Sequence, residues 1–114
     1  MTGIGRAAFV LAVATAAWRL PEAQPQQARV TSHVTVLSLD GQKKVVYSAP
    51  RKLEAPNWSP DGRYLLLNGE GRLWRLPLAG GEPEAVETGS VKGINNDHGI
   101  APDGKRFAIS AGHI

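Results

Sequence analysis

The sequence predicts an all-β fold of antiparallel four-stranded β-propeller blades, about one full and two partial, preceded by a helical signal peptide. Three observations carry that prediction. Pro60-Asp61-Gly62 returns as Pro102-Asp103-Gly104, each followed by a basic residue and an apolar run. Short apolar runs bounded by turn residues fill Asn57 to Thr88 with four strands and three tight turns. Val34-Thr-Val-Leu-Ser-Leu-Asp-Gly parallels Leu73-Trp-Arg-Leu-Pro-Leu-Ala-Gly, so a related piece precedes the full unit. Four strands at a period of about 40 residues are the mark of a propeller blade.

Residues 1–17 are expected to be a signal peptide. Arg6 supplies a basic start, Ala7 to Trp18 is uncharged and mostly small or apolar, and Ala14 to Ala17 offers small residues for cleavage. The run is shorter than the roughly 20 apolar residues a membrane span needs, so no stable anchor is expected after cleavage. Residues 18–29, with Pro21, Pro25 and several Gln, have little to bury and are expected to be a flexible linker.

The partial propeller is expected over 30–114. Residues 30–48 form a half blade: Val30, Val34 and Val36 alternate with polar residues, and Asp40-Gly41 turns the chain into Lys44 to Ser48. Pro50 to Pro56 is a polar passage. Residues 56–88 form the full blade. In its first turn Pro60 presets φ, Asp61 suits the next position and Gly62 takes the left-handed conformation. Asp61 and Asp103 are therefore turn holders, not acids of a reaction.

Tyr64 to Leu67 is an apolar run suited to a strand buried on both faces. Asn68-Gly69-Glu70-Gly71 turns it into Arg72 to Leu78, where Trp74 breaks the alternation and points to cover on both faces. Gly80-Gly81 leads into Glu84 to Thr88. Residues 95–110 repeat the first two strands as another half blade.

The chain has 114 residues, 13 Lys and Arg against 10 Asp and Glu, a net charge of +3 and no cysteine. Its cations are interleaved with acids and turns, which excludes a nucleic-acid surface as the expected function. Without cysteine it has neither disulfides nor thiolate ligands. A propeller closes with about four to eight blades. The chain is therefore expected to be an N-terminal piece of a longer propeller whose remaining blades lie elsewhere, with assembly of several copies as the alternative.

Trp58-Ser59-Pro60-Asp61-Gly62-Arg63, followed by Leu73-Trp74-Arg75-Leu76-Pro77-Leu78-Ala79-Gly80-Gly81, resembles the repeat of bacterial TolB-like propellers. The resemblance implies an exported protein, periplasmic or secreted, whose propeller is a non-catalytic scaffold for a protein partner and holds no cofactor. The same repeat occurs in propellers joined to serine peptidases and, more distantly, in lyases. The alternative is thus the propeller part of an enzyme whose active region lies beyond Ile114. No G-x-S-x-G motif is present.

One polar stretch stands out: Asn95, Asn96, Asp97 and His98, at the entry of an inner strand bordering the channel. They are the candidate ligand contacts, offering amides, a carboxylate and an imidazole. One Asp and one His are too few for a metal centre, and none is assigned. The other reading is a strand entry in which Asn and Asp bond local backbone and His98 packs against the next blade.

Overall fold

The computed structural model describes residues 29–113. The signal-peptide reading of 1–17 and nearly all of the linker reading of 18–29 fall outside the described residues. Eight strands follow in order: β1 (Ser32–Leu37), β2 (Lys43–Ala49), β3 (Glu54–Trp58), β4 (Tyr64–Gly69), β5 (Arg72–Pro77), β6 (Glu84–Ala85), β7 (Lys92–Ile100) and β8 (Phe107–His113). They form three antiparallel sheets: β1-β2, β3-β4-β5-β6 and β7-β8. This is the expected all-β arrangement of one four-stranded unit between two half units.

The first repeated turn is built from local hydrogen bonds. Gly62 N donates to Ser59 O at 2.9 Å, and Ser59 N donates to Tyr64 O at 2.9 Å. The Asp61 carboxylate accepts from Ser59 Oγ at 2.8 Å, from the Arg63 amide at 3.1 Å and from Arg63 Nε at 2.8 Å. These donors, the Ser59 hydroxyl first, hold the Asp61 carboxyl down at about 2. In the second copy Gly104 N donates to Ala101 O at 2.8 Å, and Asp103 accepts from the Lys105 amide at 2.9 Å. Ala101 replaces Ser59, so the hydroxyl contact is absent there. Both glycines are left-handed, at φ 75° and 70°. Gly62→Ala is expected to cost about 1 kcal/mol, the strain of a Cβ in that region. Urea unfolding of the two proteins would check it.

The core consists of two apolar layers on opposite faces of β4 and β5. Leu65, Leu67 and Leu76 pack with Val34 of β1 on one face, against Val46 and Tyr47 of β2. On the other face Leu66 and Leu73 pack with Ile94 of β7, against Ile100 and Phe107. Both strands are thus covered on both sides, as their continuous apolar runs require. Trp74 stays partly exposed: its Nε1 donates to Gly69 O at 3.0 Å, and the Arg51 guanidinium lies 4.3 Å from its ring centroid.

Several boundaries differ from the sequence reading, among them the last pair of strands, which runs from Lys92 to His113 rather than over 95–110. The polar passage Pro50 to Pro56 is partly strand, because β3 begins at Glu54. A bulge between Glu54 and Asn57, with Ala55 at φ 50°, admits these residues without regular pairing. Asn68 and Gly69 belong to buried β4 rather than to the turn, which tightens to Glu70-Gly71 at φ 56° and 72°. Positive φ at both central residues is the geometry of a two-residue hairpin turn. The fourth strand is short, ending at Ala85 instead of Thr88. One further bond, Val86 N to Leu73 O at 3.0 Å, continues it before Thr88 Oγ1 donates to Val91 O and turns the chain.

Candidate functional site

β3 and β7 lie beside each other, and both are bulged near their entry. The β7–β8 register shifts between Ile94 and His98, as the β3–β4 register shifts between Glu54 and Asn57. A bulge leaves residues unpaired on the ladder and re-aims their side chains. That is how Asn95, Asn96 and Asp97 leave the regular pairing. With Asn68, Glu70, Lys52 and Glu54 they line an open cleft of about 560 Å³. Lys52 Nζ and Glu54 Oε1 form an ion pair of 2.9 Å on one wall.

The four singled-out residues do different things. Asn95 Oδ1 accepts from the Asp97 amide at 2.9 Å, and its Nδ2 donates to Ser110 Oγ at 3.3 Å. That local bond fixes the bulge. Asn96 Oδ1 accepts from Asn68 Nδ2 at 2.8 Å. Asp97 is exposed and presents its carboxylate to the cleft. His98 does not line the cleft; its ring is held between two asparagines of the preceding sheet.

The direction of that network follows from what each atom can do. Asn57 Nδ2 is only a donor, so His98 Nδ1, 3.0 Å away, accepts. His98 Nε2 then carries the proton and donates to Asn68 Oδ1 at 3.1 Å. Asn68 Nδ2 passes the chain on to Asn96. Asn57 Nδ2 also donates to the His98 carbonyl at 3.1 Å. The neutral ring satisfies every partner, whereas an imidazolium would set an N–H against the Asn57 amide. Burial pushes the His98 pKa below its ordinary 6.5, against the opposing pull of Asp97.

Two members of this network, Asn57 and Asn68, were not singled out by the sequence. Asn68 is buried directly after three buried leucines, and a polar residue ending such a run was the available signal. Beside it, a Cβ on Gly69 would collide with the Lys52 carbonyl and press on the Leu53 side chain at 3.1 Å. Only glycine lets the loop before β3 pass so close. His98 packs against the preceding sheet, not the next one as the structural alternative had it.

Chemically the cleft offers amides, the carboxylates of Glu70 and Asp97, and an ion pair. Among the described residues no three His, Asp or Glu side chains stand close enough to hold a metal ion. The Ser59 hydroxyl belongs to the turn of Asp61, and the His98 ring is committed at both nitrogens.

No family model matches the chain. Several known proteins are nonetheless similar to it. An uncharacterized protein of Agrobacterium fabrum is 62 % identical over 68 residues, 59 % of this chain and 23 % of that protein. The Tol-Pal system protein TolB of Francisella tularensis is 31 % identical over 77 residues, 62 % of this chain and 17 % of that protein. A solved structure from Agrobacterium tumefaciens, provisionally assigned as TolB, aligns with a TM-score of 0.60 at 59 % identity. It covers 61 % of this chain and 26 % of that one. The chain is TolB-like in sequence and in fold, consistent with a propeller fragment. It spans about a quarter or less of the length of these relatives.

Proposed function

We propose that the chain is part of an exported TolB-like β-propeller that serves as a non-catalytic scaffold for a protein partner, in the periplasm or outside the cell. In this reading residues 1–17 direct export, 18–29 link, and 30–48, 56–88 and 95–110 are half, full and half blades. The observation that carries it is the division of labour at the cleft. Asn95, Asn96 and Asp97 face solvent as hydrogen-bonding groups, while both nitrogens of His98 are tied to Asn57 and Asn68. A surface of amides and solvated carboxylates, with its imidazole tied at both nitrogens, suits recognition better than acid–base chemistry. The relative named for the Tol-Pal system makes an envelope protein of that system the first partner class to test.

The test places a photo-crosslinking side chain at Asn95 in cells that express the chain, with Lys105, at the opposite end of the β7–β8 hairpin, as the comparison. A discrete protein adduct from position 95 in the periplasmic fraction, without the same adduct from position 105, is the expected result. Retention of the chain in the cytoplasm, or the same adducts at both positions, would overturn the reading.

A further inference from the structure

The hydrogen bonds of His98 run from the interior of the β3–β7 junction to the cleft. Asn57 Nδ2 donates to His98 Nδ1, His98 Nε2 to Asn68 Oδ1, and Asn68 Nδ2 to Asn96 Oδ1. Asn68 is only 3 % exposed, whereas Asn96 is exposed and lines the cleft. A half-buried titratable ring thus stands two hydrogen bonds from a surface side chain.

The network fits one protonation state. Asn57 cannot turn its amide to suit an imidazolium, because Nδ2 also donates to the carbonyls of Ala55 at 3.3 Å and His98 at 3.1 Å. Turned, it would set Oδ1 against both carbonyl oxygens. The imidazolium therefore meets a donor at Nδ1 and has to move to be solvated. The ring is only half-buried, so rotation about its own side-chain bonds brings it to water. Asn95, Asn96 and Asp97 stand against Ser110 alone, outside the regular ladder, so the backbone there does not hold it back. Strands β3, β4, β5 and β8 pack against β7. They bring Glu54, Tyr64, Arg72 and Arg75, with no charged group over 107–112, and β7 itself brings Lys92 and Asp97. Of these only Asp97 pulls the ring towards its charged form, and burial opposes it. Asp97 lines the cleft, so the charged ring is drawn to the side where Asn96 lies.

We propose that protonation of His98 switches the cleft: the imidazolium leaves its place between Asn57 and Asn68, and Asn68 then releases Asn96. The step between the two asparagines follows from burial. Asn68, left inside with an unmet acceptor, turns to find water and gives up its bond to Asn96. Asn96 is fixed while the ring is neutral and free once it is charged. The linkage is reciprocal, so whatever holds Asn96 in place also disfavours protonation of His98. A cleft partner that needs Asn96 fixed is weakened in acid. That last consequence rests on the function proposed above, whereas the switch itself does not.

NMR of the full chain, followed from neutral pH downward, tests it without any partner. The nuclear Overhauser contact between the Asn68 amide protons and Asn96 should be present above 6.5. It should vanish with the midpoint of the His98 ring signals, which lies below 6.5. His98→Gln keeps the network without titrating, since Oε1 accepts from Asn57 and Nε2 donates to Asn68. Below the midpoint the wild-type Asn68 amide protons should exchange with solvent about tenfold faster than those of His98→Gln at the same pH. The backbone amides of buried Leu66 and Leu73 should stay protected throughout, which separates the switch from unfolding. An Asn68–Asn96 contact that survives the titration of His98 overturns the inference, and the wild-type chain alone decides this. So does loss of the contact in His98→Gln at the same pH, or its loss only together with the protection of Leu66 and Leu73.

Discussion

Leu66→Ala is expected to destabilise the chain by about 2–5 kcal/mol, the range for removing a fully buried leucine and leaving a cavity. Leu66 has no exposed surface and packs with Leu73 of its own sheet and Ile94 of β7. It therefore holds the β7–β8 half sheet to the central one, and the cavity opens at the junction. Small domains are stable by only about 5–15 kcal/mol, so the loss takes a large share. Urea unfolding measures the total, and amide exchange at Ile94 and Ile100 reports whether β7–β8 loosens first. A loss below about 1 kcal/mol is what a surface position gives, and it would mean that this junction is not packed as described.

Leu66 also illustrates what the sequence makes readable. Its run, Tyr64 to Leu67, is apolar at consecutive positions, and a strand with alternate side chains on opposite faces can satisfy that only when both faces are covered. The repeated turn was readable for a related reason. Pro60, Asp61 and Gly62 each act on their own backbone within a few residues, and the bonds of Asp61 to Ser59 and Arg63 never leave the turn. The alignment of Val34–Gly41 with Leu73–Gly80 likewise anticipated the antiparallel pair β1–β2.

Non-local features were hidden. Nothing near Ala55 announces the bulge that brings the polar passage into β3. Its left-handed φ is unusual for a residue with a Cβ, and tertiary context imposes it. Asn68 looks like a turn residue by composition, and its neighbours Gly69 and Gly71 strengthen that impression. Its partners, His98 and Asn96, lie about thirty positions away in sequence and become visible only when β7 docks on β4. Asn95, Asn96, Asp97 and His98 were readable as an oddity. How they divide between the cleft and the interior depended on the register shift between Ile94 and His98.

Asn68→Ala is expected to cost about 1–3 kcal/mol, because it removes two hydrogen bonds, each contributing about 0.5–1.5 kcal/mol net. The side chain it removes accepts from His98 Nε2 and donates to Asn96 Oδ1. His98 adds a separate dependence on pH. Its folded pKa lies below the ordinary 6.5, so just below that pH the unfolded chain binds more protons than the folded one. The contribution of neutral His98 is therefore full above 6.5 and is lost as pH falls through the lower folded value. Urea midpoints of the wild type should fall on that limb, and His98→Gln should flatten it. Asn68→Ala should keep the limb, since Asn57 still donates to Nδ1 and still opposes the imidazolium. The double variant Asn68→Ala/His98→Ala should lose less than the sum of its parts, as residues sharing one hydrogen-bond network do. Strict additivity of the two, with an unchanged acid limb in His98→Gln, would mean that the ring is not held between Asn57 and Asn68.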